Sequence, residues 1–445
     1  MPQHITFEVL NMTSSIQNRR YATEITAANE GERVSIAGWV HEKRDLGGVF
    51  FLIVRDRSGF AQVTLLRKKT EKDLFERVKR VPRESVVAIE GEVKREQKAP
   101  NGYEILPSRV EVLSEASPVL PLDTTGKVGA ELDTKLDARF MDLRTERTKH
   151  IFVIRSRILK AIRDFLDVRG FIELNTPKIV SAATEGGTAL FPISYFEREA
   201  FLNQSPQLYK QMLMASGFDR VYEIAPIFRA EEHDTTKHLN EATSIDVEVA
   251  FEDHEYVMTL LEELIVFAYT NVVDYPGLAK LDLNLEVPKV PFRRITYDEA
   301  IEQISGAGEE IAWGEDIGTS AEHTLGTIIG ELYFITDWPC AIKPFYAQPA
   351  GEGKDTCNAF DLMHPRLELS SGSQRVHSYE LLKQQIESKG LSADSFEFYL
   401  DSFRYGMPPH AGWGLGAERL LMCMLEIGNI REVVLFPRDR KRLVP

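Results

Sequence analysis

The stretch that decides the fold is residues 221–251, VYEIAPIFRAEEHDTTKHLNEATSIDVEVAF. Two strand-like runs flank a very polar loop, and the alternation of apolar and polar residues in SIDVEVAF (244–251) is typical of a half-buried strand. The stretch therefore predicts a long antiparallel hairpin. Arg229 ends the first strand facing inward, where its planar fork suits a phosphate or a carboxylate, and Lys237 and His238 would add cationic contacts. A solvated hairpin tip with surface ion pairs is the competing interpretation.

Two segments nearer the carboxyl end also carry chemically useful residues. GWGLGAERLLMCML (412–425) runs from a glycine-rich turn into an apolar helix, whose start holds Arg419 where it would meet a phosphate or an aromatic base. RLELSSGSQRVH (366–377) places Glu368 and Ser371 three residues apart, and their oxygens suit Mg²⁺, a hard cation that stays bound to phosphate as well. Ordinary packing is the competing interpretation of either segment alone. The chain has no Walker A, GxGxxG, HExxH or GxSxG sequence, so a nucleotide would bind to another architecture.

Upstream residues predict a separate small domain. Five short runs rich in Val, Ile and Phe between residues 34 and 113, with one helical segment after the third, predict a closed β-barrel of the OB type. Such barrels often bind single-stranded nucleic acid on one face. We expect an OB-fold domain at 1–113, a linker at 114–138, and an α+β domain at 139–445, built on an antiparallel sheet flanked by helices.

Composition and charge narrow the class of protein further. Apolar residues make up 43% and charged residues 27% of the 445, which are ordinary values for a globular protein. A net charge of −15 argues against a nucleic-acid partner, but residues 33–110 carry 17 Lys and Arg against 11 Asp and Glu, so a basic module precedes an acidic body. Three scattered cysteines, no apolar run of about 18 residues and no secretory signal predict a cytoplasmic protein with no membrane partner.

These segments, in this order, resemble the three signature motifs of the class II aminoacyl-tRNA synthetases. FIELNTPKI (171–179), which alone would be an edge strand closed by proline, resembles motif 1, a dimer-interface element. Phe228, Arg229 and Glu231 match the Phe-Arg-x-Glu pattern of motif 2, and GLGAERLLM, which contains Arg419, resembles motif 3.

Within class II, the amino-terminal OB domain and several longer stretches make the chain similar to the archaeal-type, non-discriminating aspartyl-tRNA synthetases. These stretches are ATEGGTALF (183–191), QSPQLYKQ (204–211), HLNEATSIDVE (238–248), ELSSGSQR (368–375) and RYGMPPHAGWGLGAER (404–419). The resemblance implies an ATP-dependent ligase that attaches L-aspartate to tRNA through an aspartyl-adenylate, with Mg²⁺ as cofactor, working as a homodimer. A discriminating aspartyl enzyme, an asparaginyl-tRNA synthetase and a tRNA-independent synthetase-like ligase are the alternatives.

The resemblance also implies roles for individual residues. Aspartate would be bound by Glu185, Gln207, Lys210, Arg229, Asp246, Ser371 and Arg375. ATP would be bound by Arg229, Ala230, Glu231, Lys237, His238, Leu239, Glu368, Gly416, Ala417, Glu418 and Arg419. The catalytic residues would be Arg229, which bridges the substrate carboxylate and the α-phosphate, Glu231, which holds the adenine edge, and Arg419, which covers the ring. Lys210 and Arg375 would supply the cations for the side-chain carboxylate, and Glu368 and Ser371 would hold Mg²⁺.

By the same resemblance, the barrel reads the anticodon of the tRNA. Phe51 would stack on the middle base while Gln62 and Glu104 read its edge. Asp and Asn anticodons differ only in the last base, C against U, and relatives that reject tRNA-Asn tend to carry Trp and Lys where this chain has His41 and Pro100. We therefore predict that both tRNAs are charged, and that a partner amidotransferase converts Asp-tRNA-Asn to Asn-tRNA-Asn.

Overall fold

The computed structural model describes residues 14–181, 190–232, 234–351 and 354–445. The chain divides into two compact units, Met1–Thr145 and Glu146–Pro445. The first unit contains a closed five-stranded barrel with the strand order β1-β2-β3-β5-β4. The second contains one eight-stranded and one three-stranded sheet. The predicted barrel is therefore confirmed.

The barrel forms because its strands alternate buried apolar residues with more exposed ones, so that one face of each strand fills the interior. The strands are β1 (Arg33–Asp45), β2 (Val49–Arg55), β3 (Phe60–Leu66), β4 (Val86–Arg95) and β5 (Tyr103–Ser114). The helices of this unit are α1 (Ser14–Gln17), α2 (Lys72–Arg80), α3 (Leu132–Asp137) and α4 (Arg139–Asp142). As predicted, α2 follows the third strand.

The stretch that we assigned as a linker packs within the first unit. Leu122, Ala138 and Met141 form a small apolar cluster. Thr124 Oγ1 donates a hydrogen bond of 2.7 Å to the buried carboxylate of Glu84. These contacts join this stretch to Glu84, which lies two residues before β4.

The second unit is built on the strand order β12-β13-β14-β15-β16-β11-β10-β6. The predicted antiparallel arrangement is confirmed for the five central pairings, whereas β6 pairs with β10, and β12 with β13, in parallel. Long connections separate the strands of both parallel pairs along the chain, as parallel pairing requires. The strands of this unit are β6 (Ile172–Glu173), β7 (Ile179–Val180), β8 (Pro192–Tyr195), β9 (Arg198–Leu202), β10 (Arg220–Phe228), β11 (Glu241–Ala250), β12 (Arg293–Thr296), β13 (Tyr333–Thr336), β14 (Ala359–His364), β15 (Leu367–Arg375) and β16 (His410–Gly416).

Helices cover this sheet, and one of them is unusually apolar. The helices are α5 (Glu146–Asp167), α6 (Gln207–Met214), α7 (His254–Val273), α8 (Tyr297–Gly306), α9 (Thr319–Ile329), α10 (Tyr379–Ser388), α11 (Glu397–Arg404) and α12 (Ala417–Met424). By length and composition α7 could span a membrane. The sequence analysis did not predict this, because α7 is not one continuous apolar run. Its fully buried Met258, Leu261 and Ile265 belong to the same apolar core as Ile154 and Ile162 of α5, so α7 has the packing of a core helix.

Candidate active site

Side-chain alternation gives the central strands one apolar and one polar face. Alternate residues of β11 and β16 enter the apolar core: Ile245, Val247, Val249, Ala411, Trp413 and Leu415. The remaining residues of β11 (Ser244, Asp246, Glu248) therefore share the opposite face, where they pair with Gly416, Gly414 and Gly412 of β16. A Cβ atom on Gly412 would lie 2.2 Å from the carbonyl oxygen of Val247, so this position requires glycine. The polar face is thus a floor with few side chains in its middle.

A cavity of about 580 Å³ opens above this floor. Thirteen of the predicted binding residues line it: Gln207, Arg229, Glu231, Lys237, His238, Leu239, Asp246, Glu368, Ser371, Arg375, Gly416, Glu418 and Arg419. Ala230, Lys210 and Ala417 are not part of the lining, and Glu185 lies outside the described residues. The fold therefore brings together segments that are far apart in the chain.

Arg229 lies at the end of β10 on the cavity side, two residues after Ile227, which also lines the cavity. Its backbone is fixed, because Arg229 N donates to the carbonyl of Asn240 at 3.0 Å and Asn240 Nδ2 donates back to the Arg229 carbonyl at 2.8 Å. The guanidinium is exposed and forms no hydrogen bond or ion pair with any described residue. All five of its N–H donors are therefore available to an anionic ligand.

Arg419 extends from the first turn of α12 into the same cavity. It donates to the carbonyl of Glu368 at 3.1 Å, and another of its nitrogens lies 3.2 Å from His238 Nε2. Because a guanidinium only donates, His238 Nε2 must accept, and His238 Nδ1 keeps the proton that it donates to Thr235 Oγ1 at 2.7 Å. Burial and the charge of Arg419 lower the pKa of His238, so its imidazole is neutral at pH 7 and is not the cation that we expected.

Lys210 differs from our prediction. It is buried in α6, with its Nζ 3.1 Å from Asp246 Oδ1 and 3.4 Å from Glu248 Oε2, and it also donates to the carbonyls of Val247 and Trp413. These protein groups already engage its three protons. Lys210 therefore neutralises the carboxylates of Asp246 and Glu248, and it does not offer a cation to a ligand in the cavity.

Lys343 is a cation of the cavity lining that our sequence analysis did not single out. It lines the cavity, with its Nζ 2.6 Å from Asp361 Oδ2 and 3.9 Å from the centroid of the Trp338 ring. The segment around it, WPCAIKPF (338–345), contains no helix or strand and matches none of the motifs we searched for. Its sequence therefore gave no periodic signal that would have found this lysine.

Arg375 and Asp246 also line the cavity. Arg375 is buried, donates to both oxygens of Glu248 at 3.0 and 3.3 Å and to Ser373 Oγ at 2.8 Å, and still lines the cavity. Burial alone would lower the pKa of Arg375, but the Glu248 carboxylate raises it above its ordinary value, so the cation persists. Asp246 uses Oδ1 for Lys210, while its buried Oδ2 has no hydrogen-bond partner among the described residues. That oxygen is a ready acceptor for an ammonium group.

Glu418 is occupied by protein contacts, unlike the other carboxylates predicted to meet ATP. Its Oε1 accepts from Arg155 at 2.9 Å, and its Oε2 accepts from the backbone N of Thr243 at 2.8 Å. The side chain is almost fully buried. Glu418 therefore joins α12 to α5 and β11, while its predicted contact with ATP stays a prediction.

In the first unit, the outer face of the barrel brings together the residues predicted to read the middle anticodon base. Phe51 on β2 pairs with Thr64 on β3, and Gln62 on β3 pairs with Glu104 on β5. Glu104 Oε2 accepts a bond of 2.6 Å from Thr64 Oγ1 and lies 3.4 Å from Gln62 Nε2. The three predicted residues therefore lie on neighbouring strands of one face.

Phe60, which sequence reasoning missed, contacts His41 and the residue that follows Pro100. The ring of His41 lies with its centroid 4.9 Å from that of Phe60. The carbonyl of Phe60 accepts from Asn101 Nδ2 at 3.1 Å, and Asn101 directly follows Pro100. Phe60 therefore lies between His41 and the turn that contains Pro100 and Asn101.

Comparison with known families decides the identity of this arrangement. The model described as "tRNA synthetases class II (D, K and N)" matches residues 131–440, which is more than half of the chain, and that of an OB-fold nucleic acid binding domain matches residues 34–113. The chain belongs to the class II tRNA synthetases. The family recognised from the three motifs is therefore confirmed, as is the pairing of an OB-fold domain with a class II domain.

Individual relatives of this synthetase cover nearly its full length. The "Aspartate--tRNA(Asp/Asn) ligase" of Archaeoglobus fulgidus is 58% identical over 429 residues, covering 96% of this chain and 100% of the relative, and that of Methanococcoides burtonii is 56% identical, covering 98% and 100%. Among solved structures, asparaginyl-tRNA synthetase from Pyrococcus horikoshii complexed with asparaginyl-adenylate has a TM-score of 0.91 at 32% identity, covering 96% of this chain and 99% of that chain. Aspartyl tRNA synthetase from Entamoeba histolytica has a TM-score of 0.85 at 31% identity, covering 100% and 96%.

The synthetase cavity contains an oxygen-rich edge that fits Mg²⁺. Ser371 is exposed on β15 and pairs with Asp361 on β14, whose buried Oδ1 has no hydrogen-bond partner among the described residues. Glu368 lines the same edge, with Oε2 3.9 Å from an Arg419 nitrogen. No cluster of three His, Cys, Asp or Glu residues is arranged to hold a metal within the described ranges. The donors therefore suit a hard cation that keeps phosphate oxygens and water among its ligands, and not a closed all-protein site.

Proposed function

We propose that this synthetase joins L-aspartate to tRNA-Asp and to tRNA-Asn through an aspartyl-adenylate. The observation that carries the proposal is the cavity itself, whose lining contains three cations (Arg229, Lys343 and Arg375) and Asp246, one oxygen of which has no hydrogen-bond partner among the described residues. Six further archaeal relatives, each also named "Aspartate--tRNA(Asp/Asn) ligase", are 54–58% identical to this chain and support the choice of substrates.

The amino acid fits the end of the cavity that holds Asp246. We place the side-chain carboxylate of aspartate between Lys343 and Arg375, and its ammonium group on Asp246 Oδ2, with Gln207, Ser371 and Glu185 as further predicted contacts. An asparagine side chain is neutral and would bring no anion to these two cations, which otherwise have only the carboxylates of Asp361 and Glu248 beside them. Hydrogen bonds from a cation to a carboxylate are stronger than those to a neutral amide, which discriminates against asparagine. The cavity therefore favours the aspartyl over the asparaginyl alternative.

In the first step, an oxygen of the aspartate α-carboxylate attacks the α-phosphorus of ATP, and the bond to pyrophosphate breaks. Arg229 would neutralise the carboxylate and the α-phosphate as they meet, Glu231 would hold the adenine edge, and Arg419 would cover the adenine ring and contact phosphate. Lys237, 3.7 Å from Glu322, would bind the outer phosphates beside a neutral His238. Backbone atoms of Ala230, Leu239, Gly416 and Ala417 would frame the nucleotide. The protein thus contributes positioning and charge, and no covalent enzyme intermediate is needed.

Mg²⁺ would enter with ATP at the oxygen-rich edge. Glu368 and Ser371 would hold it, with Asp361 beside them, and when bound it would neutralise charge on the phosphates. Burial, with Glu368 close by, raises the pKa of Asp361. A divalent cation at this edge would favour the ionised form of that carboxyl group.

In the second step, the terminal ribose hydroxyl of the tRNA attacks the anhydride and AMP leaves. We propose that Phe51, Gln62, Glu104, His41 and Pro100 bind the anticodon in the cytoplasm, and that an amidotransferase then acts on Asp-tRNA-Asn. A homodimer would form along motif 1, since β6 is the edge of the large sheet and Ile172 and Ile179 are 44% and 47% exposed.

The experiment that tests the proposed function is charging of tRNA-Asp and tRNA-Asn transcripts with radiolabelled aspartate at one salt concentration. We expect comparable charging of both. Charging of tRNA-Asp alone would indicate a discriminating enzyme. Charging of neither, with aspartate-driven ATP–pyrophosphate exchange intact, would indicate a tRNA-independent ligase, and exchange driven by asparagine would indicate an asparaginyl enzyme.

A further inference from the structure

A buried histidine outside the cavity lining begins a chain of hydrogen bonds that ends at Gln207. His410, at the start of β16, is completely buried, and its Nδ1 lies 2.8 Å from the carbonyl oxygen of Pro408. Its Nε2 lies 3.0 Å from Gln211 Nε2. Gln211 Oε1 accepts bonds from Gln207 Nε2 at 2.9 Å and from the Tyr399 hydroxyl at 3.1 Å. The chain therefore links β16 and α11 to the helix α6, whose Gln207 lines the cavity.

The histidine determines the direction of the hydrogen bonds in this chain. A backbone carbonyl can only accept, so His410 Nδ1 carries a proton and donates it to Pro408. Burial lowers the pKa of His410 to about 4, so the ring is neutral at pH 7 and its Nε2 is an acceptor. The group that donates to Nε2 is therefore the amide nitrogen of Gln211. If the oxygen and nitrogen of this amide exchanged places, two acceptors would face each other.

The same chain fixes the amide of Gln207. Because Gln211 presents its oxygen, Gln207 donates to it through Nε2, and Gln207 Oε1 keeps no hydrogen-bond partner among the described residues. Gln207 precedes Lys210 by three residues on one face of α6, and Lys210 contacts Asp246 Oδ1. Asp246 and Gln207 both line the cavity, and Asp246 Oδ2 is also without a partner there. The cavity thus contains two unpartnered acceptor oxygens, one charged and one neutral.

We propose that His410 is a positioning residue that acts through Gln211 and holds Gln207 Oε1 as an acceptor for the ammonium group of the amino acid. An ammonium group has three donors and no acceptor, so Asp246 alone would leave most of it without a partner. An amide of Gln207 that could turn freely would also present its NH₂ group, which is a donor and cannot bind an ammonium. This inference rests on the proposed binding of aspartate and names residues that adapt the site to a charged amino group.

The test compares aspartate with succinate, which has both carboxylates but no amino group. Aspartate-driven ATP–pyrophosphate exchange gives the KM for aspartate, and inhibition of that exchange gives the Ki for succinate. His410→Phe removes the acceptor that orients Gln211, so the KM for aspartate should rise by about 10-fold, the scale of one hydrogen bond to a charged group. The kcat and the Ki for succinate should hardly change. A role in supporting the fold alone would weaken the binding of both molecules.

Further variants separate the orientation of the amide from the loss of a buried hydrogen bond. His410→Gln can place an amide oxygen near the position of Nε2, so it should keep the KM for aspartate close to that of wild type. Tyr399→Phe is the matched control, because it also removes one bond to Gln211 but leaves His410 to orient the amide. Should His410→Phe fail to fold, Gln211→Leu removes the oxygen that holds Gln207 and should raise the KM for aspartate just as selectively.

A double mutant tests whether His410 acts through Gln207. Gln207→Leu removes the acceptor oxygen itself, so adding His410→Phe should raise the KM for aspartate no further. Additive effects of the two substitutions would overturn the inference, as would equal losses of aspartate and succinate binding in both His410→Phe and Gln211→Leu, or an unchanged KM in both. Each of these results leaves aspartate-driven exchange by the wild-type enzyme intact. Absence of that exchange in wild type would overturn the proposed function, and the inference with it.

Discussion

The molecule contains the same pair of side chains twice, His238 with Arg419 in the cavity and His41 with Arg55 on the barrel. In both pairs an arginine nitrogen lies within hydrogen-bond distance of a ring nitrogen, at 3.2 and 3.0 Å, and in both the pKa of the histidine is lowered. The accepting nitrogen differs, because it is Nε2 in His238 and Nδ1 in His41. The two neutral rings therefore carry their protons on opposite nitrogens.

The arginines differ more than the histidines do. Arg55 is neutralised by the two oxygens of a buried carboxylate, Glu84, whereas Arg419 has a carbonyl at 3.1 Å and reaches the Glu368 carboxylate only at 3.9 Å. An arginine whose charge is matched inside the protein holds its neighbours in place. One whose charge is poorly matched is available to a ligand, and we expect Arg419 to act on ATP for this reason.

The largest predicted effect separates the two arginines directly. Arg419→Gln should lower aspartate-driven ATP–pyrophosphate exchange by about 10²–10³-fold, because a fixed charge at the reacting phosphate is lost. Arg55→Gln, its matched control, should leave exchange unchanged, since the barrel takes no part in adenylate formation. Steady-state exchange assays at saturating Mg²⁺ measure both. A small effect of Arg419→Gln would remove the distinction that we draw between the pairs.

A second comparison concerns two lysines, of which Lys343 lines the cavity and Lys210 does not. Lys343→Met should raise the KM for aspartate in the exchange assay by about 100-fold, the scale of losing one partner of a charged hydrogen bond to a ligand. Lys210→Met should instead destabilise the protein, because Asp246 and Glu248 would lose the cation buried beside them. Urea unfolding provides the control measurement. If Lys210→Met is stable and only aspartate binding suffers, our correction of Lys210 is wrong.

Loss of the Glu84 carboxylate should destabilise the protein more than loss of the Glu368 carboxylate, although Glu368 is the one that we propose to hold Mg²⁺. Glu84→Gln removes the charge that matches Arg55 and Arg144, and we expect it to lower the free energy of unfolding by about 2 kcal/mol, whereas the partly exposed Glu368→Gln should lower it by less than about 1 kcal/mol. Burial opposes ionisation of Glu84, but its hydrogen bonds to Arg55, Thr124 and Arg144 lower its pKa below 4.5.

The lowered pKa of Glu84 determines how the stability difference between wild type and Glu84→Gln should change with pH. Because the folded pKa of Glu84 is depressed, its stabilisation is complete above pH 4.5 and is lost as the pH falls through the lower folded value. The difference in stability between wild type and Glu84→Gln should therefore shrink on acidification below pH 4.5. A difference that grows instead would contradict the assignment. Urea titrations at several pH values, followed by tryptophan fluorescence, measure it.

Much of the fold was predictable because strand alternation is local. In SIDVEVAF (244–251) alternate residues form two faces of one strand. The apolar face packs in the core, and the polar face forms the floor of the cavity. The parallel edges of the large sheet were not predictable in the same way. Strand β6 contains two residues and β12 four, which is too short for a periodic pattern, and their pairing is set by the helices and strands that intervene along the chain.

Site residues were predictable where a sequence motif contains them. They were not predictable where a contact with a residue far away in the sequence determines the charge of a side chain. Arg229 and Arg419 lie in the cavity as their segments predicted. The neutrality of His238, however, depends on Arg419, which is 181 positions away, and the occupation of Lys210 depends on β11. Lys343 lies in an irregular segment, so only folding shows that it faces the cavity.

The smallest predicted effect concerns pH and sharpens the comparison of the two histidines. Since burial and Arg419 lower the pKa of His238 below 6.5, the exchange rate should be nearly flat from pH 8 to 6.5 and fall only below that, as protonation of Nε2 removes the acceptor that holds Arg419. His238→Gln keeps an acceptor that does not titrate, so it should cost only a few-fold in rate at pH 7.5 and flatten the acid limb between pH 6.5 and 5.5. His41→Gln is the matched control, because its histidine also has a lowered pKa but lies on the barrel, and its exchange profile should match that of wild type. An acid limb that persists in His238→Gln would assign the titration to another group and leave the contact between His238 and Arg419 without a catalytic consequence.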